Sequence, residues 1–482
     1  MSDNGGIVQN LGLIGLSNIM IGLSTFIILP LLTNNLSSED YGTWVQITVT
    51  ISMVPTVIML GMPFTMVRFL AVEKNRSNIS DCFYSMLAIT SMTSLAVSLL
   101  VLIFSGVLSR IFFSGHADII NILAPIIFFE CMSLLFVSYF RSRLQIKKYT
   151  IFCLLKIYLN LAAVAFMVLE GRGLTGAVAG FLVTDVLICL AMLCFILPEI
   201  GITVPSFKNL KSHLRFGLPT IPSSISSWII GASDRYVIGG FLGASFAGYY
   251  TTGFMLGNIV SMLITPLSFL LPSVLSKYYD ENHLADVRNM LERSLKYYLM
   301  ITIPLVFGIA VLSRQMLEVL STPEIASQGY IVAPLVAIGT TITGVNAIIS
   351  QVFILEKNTG FIAKACVATA IAYLFMNILL VPVVGISGAA ISLILINIPM
   401  LLVLWHYSQR QVRIGLDLPL ISKYVLSAAV MSVAVLMINP TGLTGVVISA
   451  LAGISVYFFS LLLMRGLRRD EIWLLRQFIH IR

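Results

Sequence analysis

The chain has 482 residues, 58% of them hydrophobic and only 10% charged, and Lys plus Arg outnumber Asp plus Glu by 29 to 21. A soluble domain carries about 25% charged residues, so an ordinary water-soluble domain is excluded. The six cysteines (Cys82, Cys131, Cys153, Cys189, Cys194, Cys366) fall inside apolar runs without a Cys-x-x-Cys pair, and the five histidines stand singly. That excludes a disulfide framework, a metal site and a haem attachment.

Apolar runs long enough to cross a bilayer recur from end to end. Fourteen are expected, near 7–33, 41–67, 82–106, 119–140, 149–169, 173–197, 216–241, 246–272, 297–320, 328–355, 361–383, 385–407, 421–438 and 443–464. The first lacks a basic flank and is too long for a cleaved leader, so it reads as a span. Alternating ten-residue strands of a membrane barrel are absent, which leaves helices as the spanning elements. The basic residues test the count. With the N-terminus inside, the outer segments hold only Arg110, Arg172 and Arg314, and Lys156 and Arg235 lie within spans. Every other Lys and Arg falls on the inner side, as the positive-inside rule requires. Both termini are therefore expected in the cytoplasm. The positive charge reflects topology, and nucleic acid is not an expected partner.

Two stretches read as interfacial. Residues 284–295 have apolar positions at helical spacing and join spans eight and nine, and the basic tail carries Trp473, Leu474 and Phe478. Both are expected to lie in the inner membrane surface.

The chain repeats itself. Leu36-Ser-Ser-Glu-Asp-Tyr-Gly42-Thr-Trp44 aligns with Leu242-Gly-Ala-Ser-Phe-Ala-Gly248-Tyr-Tyr250, and Gly173-Leu-Thr-Gly176-Ala177 aligns with Gly385-Ile-Ser-Gly388-Ala389. Spans 1–6 and 7–12 thus read as two copies of a six-helix unit. Six is even, so the copies run parallel. The expected fold is an all-α polytopic membrane protein: a lobe over 1–205, a second over 206–412, and two further helices with a basic tail over 413–482. Gly176-x-x-x-Gly180 and Gly388-x-x-x-Ser392 read as close helix-packing patterns. Asn160, Asn258, Asn346, Gln351 and Asn377 read as amides bonding neighbouring helices.

Over nearly its full length the sequence resembles the polysaccharide-flippase branch of the multidrug/oligosaccharidyl-lipid/polysaccharide exporter superfamily. The resemblance rests on four features in order: Leu29 to Trp44; Ser233-Asp234-Arg235 with Leu242-Gly243 and Gly248-Tyr249-Tyr250; the doubled Gly-x-x-Gly-Ala; and Arg465-Gly-Leu-Arg-Arg-Asp-Glu471. It implies a V-shaped two-lobe fold, alternating access, and export of a glycan linked to a polyprenyl pyrophosphate, for surface polysaccharide such as O-antigen or exopolysaccharide. A prokaryotic plasma membrane is the implied location. The same superfamily includes ion-coupled multidrug and lipid II exporters, which are the alternative reading.

Charges inside spans are costly and mark cavities or partners. Arg235 is expected to face the substrate path and attract pyrophosphate, diverging from its neighbour Asp234. Lys156 either snorkels to the inner surface or meets phosphate. Arg68, Arg215 and Lys277 stand where spans meet the inner side and are candidates to receive the anionic head group. Asp234, Asp185 and Glu130 are candidates for proton or sodium coupling. A glycosyltransferase or polymerase is disfavoured by the lack of Asp-x-Asp and of sizeable outer segments, and no phosphate-binding loop for ATP occurs. No cofactor or metal is expected, and the chain reads as a non-enzyme. The expected partners are lipid-linked oligosaccharide, membrane lipids and a coupling proton or sodium ion. Polymerases are candidate partners, and a monomer is the expected working form.

Overall fold

A computed structural model describes residues 3–71, 73–113, 115–205, 207–281, 283–356, 359–438 and 440–466. Among them there is no β-strand. The helices pack as two compact units, Met1–Gly248 and Tyr249–Arg482.

The first unit holds α1 (Asp3–Asn35), α2 (Ser38–Ile58), α3 (Met62–Leu70), α4 (Arg76–Ile103), α5 (Ser105–Phe112), α6 (Ala117–Ser142), α7 (Ile146–Leu169), α8 (Gly173–Ile200), α9 (Leu210–Gly217) and α10 (Ile221–Leu242). α11 (Ala244–Gly257) crosses the boundary. The second unit continues with α12 (Ile264–Asp280), α13 (Leu284–Leu320), α14 (Pro323–Gly329), α15 (Val332–Ile349), α16 (Gln351–Leu355), α17 (Thr359–Val384), α18 (Ile386–Gln411), α19 (Leu418–Ile438) and α20 (Gly442–Leu463).

Local chemistry sets the ends. Ser37 caps α2 by accepting from the Asp40 amide at 3.0 Å, and Glu39 and Asp40 in the first turn suit the positive helix terminus. Span two is broken: α2 and α3 meet at 57°. Leu60 and Gly61 adopt positive φ there, 50° and 72°. The break is also where another part of the unit crosses. A Cβ on Gly61 would lie 2.3 Å from the Gly217 carbonyl oxygen, and one on Gly217 would lie 2.5 Å from that of Leu60. The joint between α9 and α10 therefore sits directly on the kink.

The repeated glycines take equivalent places. Gly173 and Gly385 both turn with positive φ, 57° and 72°, just before their helices rise. A Cβ on Gly180 would meet the α7 backbone at 3.0 Å, and one on Gly388 would meet the Leu380 carbonyl oxygen at 2.6 Å. Their role is close helix packing. Gly42 and Gly248 lie against one another, since a Cβ on Gly248 would come within 3.4 Å of the Gly42 Cα.

In the first unit α6 is central and packs on α3, α4, α7 and α8. Its core joins Met66, Phe83, Tyr139, Phe140, Ile188 and Met192. In the second unit α15 packs on α13 and α18, and the last two helices lie on α13.

Eleven helices among the described residues are long and apolar enough to span, or twelve if the bent α2–α3 pair is one span. Fourteen were expected. The remaining two expected spans coincide with α1 and α10, and α10 carries Ser223, Ser224, Ser226, Ser227, Ser233, Asp234 and Arg235 within 22 residues, which lowers its hydropathy. The amphipathic stretch 284–295 is not a separate surface helix. It forms the first turns of α13, whose 37 residues reach about 55 Å at 1.5 Å per residue, well beyond the roughly 30 Å hydrocarbon core. Val287, Leu291 and Leu295 bury against Leu355, Val412 and Ile414, so protein covers the face that was expected to meet lipid. The tail carrying Trp473 lies outside the described residues.

Candidate functional site

The kink in span two opens a cavity of about 560 Å³ between α2, α3 and the start of α10. Ser52, Thr56, Ser223, Ser224 and Ser227 line it together with Trp228. Several of these hydroxyls spend their proton on helix carbonyls: Thr56 on Ser52 at 3.1 Å, Ser224 on Thr220 at 3.1 Å, and Ser227 on Ser223 at 3.0 Å. Their oxygens thus keep lone pairs as acceptors. The Trp228 indole donates to Ser52 Oγ at 3.2 Å, which fixes a broad apolar ring over a hydroxyl-rich wall.

A second cavity of about 350 Å³ shares Phe64 and Thr220 with the first and adds Arg68, Arg141 and Phe216. Arg68 comes from α3 and Arg141 from the last turn of α6; both are exposed. Neither has an acidic partner among the described residues. The nearby Arg143 is spent on structure, donating to the carbonyls of Leu70 at 3.3 Å and Glu73 at 3.0 Å. Two uncommitted guanidinium groups at the end of a hydroxyl-lined hollow can bind a doubly charged phosphate group through forked hydrogen bonds.

Three spans bring together three of the residues singled out in sequence. Lys156 Nζ on α7 donates to Glu130 Oε2 on α6 at 2.5 Å and to Ser133 Oγ at 3.1 Å. It also lies 3.1 Å from Asp185 Oδ1 on α8, at ion-pair distance but without hydrogen-bond alignment. The Asp185 side chain is fully buried, and its Oδ2 has no hydrogen-bond partner among the described residues. The expectation that Lys156 snorkels is corrected: two carboxylates inside the bundle hold the ammonium more favourably than a stretch to the surface would.

The expectation that Arg235 and Asp234 diverge is corrected as well. Neighbouring Cα–Cβ directions differ by about 100°, yet the long Arg235 side chain curls back. Its Nη1 donates to Asp234 Oδ1 at 2.6 Å and to the Gly231 carbonyl at 2.7 Å. Both residues are buried, so Arg235 does not face an open path in this conformation. Arg215 is exposed on α9. The side chain of Lys277, on α12, lies outside the described residues.

Sequence reading missed Arg141, Trp228 and the serines of α10. Arg141 looked like one orientation charge among many. The serine run was visible as a span of unusually low hydropathy, which is what a helix bordering a polar cavity requires.

The sequence model of the polysaccharide biosynthesis protein family matches residues 31–325. A probable low-salt glycan biosynthesis flippase, Agl15 of Haloferax volcanii, is 25% identical over 188 residues, so the match spans 39% of this chain and 40% of that relative. Among solved structures, a lipid II flippase MurJ in an inward closed conformation superposes with a TM-score of 0.76 at 17% identity, covering 95% of this chain and 99% of MurJ. An inward-facing multidrug resistance transporter of the MATE family gives a TM-score of 0.66 at 16% identity over 82% of this chain and 94% of its own. A MOP superfamily transporter from Pyrococcus furiosus gives 0.54 at 15% identity over 84% and 93%. At these identities the structural likeness establishes the fold alone.

Proposed function

Because the chain belongs to the polysaccharide biosynthesis protein family, we infer that it is a flippase, not an enzyme. It carries a lipid-pyrophosphate-linked oligosaccharide from the cytoplasmic to the outer leaflet of a prokaryotic plasma membrane by alternating access. One observation carries the reading: the hydroxyl- and indole-lined cavity shares Phe64 and Thr220 with the one holding Arg68 and Arg141. A diphosphate seats on the two guanidinium groups. The first sugars lie along the α10 serines, with their hydroxyls donating to the side-chain oxygens and their C–H face on Trp228. Arg215, exposed on α9, adds positive charge to the same unit. The likeness to a glycan flippase supports the cargo class.

Energy enters through the Glu130–Lys156–Asp185 cluster. Two carboxylates share one ammonium, so the ionised cluster has one negative charge in excess. Taking up a proton or sodium ion cancels it. Asp234 and Arg235 act as a structural lock within α10, a reassignment of both residues. Two uncommitted arginines oppose a cationic drug as cargo, since like charge in a cavity is costly.

The test is flipping of a fluorescent lipid-diphosphate oligosaccharide in proteoliposomes. Removing both guanidinium groups, with Arg68→Ala and Arg141→Ala together, is expected to lower flipping by about a hundredfold, taking roughly 1.5 kcal/mol or more per charged contact. Wild-type rates at equal reconstitution would remove the arginine cavity from the path.

A further inference from the structure

A separate cavity of about 330 Å³ lies wholly in the second unit, between the first turns of α13 and the segment leading into α19. Asn289, Arg293 and Lys296 line one wall. They are spaced i, i+4 and i+7, so they form a single stripe of the helix. The opposite wall runs from Gly415 to Ile421, and Leu299, Leu420 and Ile421 form an apolar floor.

Two acidic residues also line the cavity, but their charge is partly committed. Glu292 Oε1 accepts from Arg288 Nε at 2.8 Å and from the Gly415 amide at 2.7 Å. Asp417 Oδ1 accepts from the Leu420 amide at 3.0 Å and so caps α19. Arg293 is exposed and has no ion-pair partner among the described residues. Lys296 lies over the Tyr297 ring, 5.7 Å from its centroid. The cavity therefore presents an uncommitted guanidinium and an ammonium, one helical turn apart, above an apolar floor.

Its position selects the ligand. Below the cationic stripe, Ile301 on α13 and Val425 and Leu426 on α19 are exposed apolar side chains, as expected of surfaces in contact with acyl chains. Above it, Asp286, Arg288 and Asn289 are exposed, with Leu284 the exposed large apolar side chain at the start of α13. A molecule filling this space must carry its negative charge at one end and hydrocarbon at the other.

We propose that this cavity is a binding site for an anionic membrane phospholipid, with the phosphodiester on Arg293 and Lys296. Asn289 hydrogen-bonds the head-group hydroxyls, and the acyl chains run from the Leu299–Leu420–Ile421 floor down the groove between α13 and α19. Basic pockets between spanning helices at a membrane face suit such head groups. The site is independent of the arginine pair Arg68 and Arg141, and its failure would leave the flippase reading untouched.

The experiment is native mass spectrometry of the full chain from nanodiscs containing phosphatidylglycerol or phosphatidylcholine, with inorganic phosphate as competitor. A retained phosphatidylglycerol adduct is expected, favoured over phosphatidylcholine and not displaced by phosphate. Arg293→Gln with Lys296→Gln should lower its occupancy about tenfold through loss of two charged contacts. Arg410→Gln, a loss of one charge on α18 outside the cavity, should leave it unchanged. Should the double variant fail to accumulate, Arg293→Gln alone carries the test, because that side chain is exposed; about a threefold loss is expected. Equal occupancy in the variants, or in the two lipids, overturns the proposal. Displacement by inorganic phosphate overturns the lipid assignment in favour of a simple anion site.

Discussion

Equivalent places in the two repeats are filled in opposite ways. Nine residues after the motif glycine Gly176 stands Asp185, and nine after Gly388 stands Asn397. In the first unit Asp185 meets Lys156 and, through it, Glu130. In the second, Asn397 meets another amide: Asn346 Nδ2 donates to both Asn397 Oδ1 and the Asn397 carbonyl at 3.2 Å, and Asn397 Nδ2 donates to the Leu393 carbonyl at 2.8 Å. The amide pair joins the fourth helix of its repeat to the sixth directly, and the charged cluster joins the same two helices through the fifth. A neutral pair therefore suffices to close that contact. Charges cost more to bury than amides, so packing does not explain the three in the first unit. The proposed coupling role, which needs a net charge at that place, would require them.

The comparison breaks most visibly at Lys156. Lys156→Met leaves the buried Asp185 and the partly buried Glu130 without their counter-charge and should destabilise the purified protein by about 3–5 kcal/mol, read as a fall in its thermal unfolding midpoint in detergent. An unchanged midpoint would mean that the carboxyls carry no charge to be balanced, and the contrast between the repeats would vanish. The sharper variant makes the first unit resemble the second. Lys156→Met with Glu130→Gln and Asp185→Asn removes the imbalance and should recover most of that stability, while flipping loses its dependence on proton or sodium gradients. A triple variant that still follows the gradient would move coupling elsewhere. Next in size is Asn346→Ala, which removes one interhelical amide contact and should cost about 1 kcal/mol, with gradient dependence intact.

Much of this contrast was legible in the sequence, and part was not. The spans, their helical character and the doubled Gly-x-x-Gly-Ala follow from composition and spacing, because lipid forces backbone groups to bond within a helix. Asp185, Glu130 and Lys156 stood out one by one as charges in apolar runs. That they meet could not be read, since it depends on the rotation of three helices about their axes. Arg235 was misplaced for a related reason: helical periodicity gives the direction of Cβ but not the reach of a four-bond side chain back to its neighbour. The arginine cavity escaped because Arg141 and Arg143 look alike in sequence. Only the fold shows that one is spent on carbonyls at the end of α3 while the other lines open space.

The smallest expected effect concerns how each unit anchors the segment beside its basic surface. In the second unit Glu292 holds Gly415 through a carboxylate. In the first, α9 is held by His213, which is buried, stacked edge-on to Phe69 at 5.1 Å, and set with Nε2 3.7 Å from Cys82 Sγ. Its Nδ1 has no hydrogen-bond partner among the described residues, and burial lowers its pKa below the ordinary 6.5. The unfolded chain thus binds this proton more readily than the native one, so the anchor is at full strength above 6.5 and weakens as pH falls below it. Hydrogen exchange across α9, compared at about pH 7.5 and 5.5, should show faster opening at the lower value. His213→Phe, which keeps the ring contact and cannot take up a proton, should abolish the difference. Equal acid sensitivity in that variant would place the cause in another group and leave the histidine as packing alone.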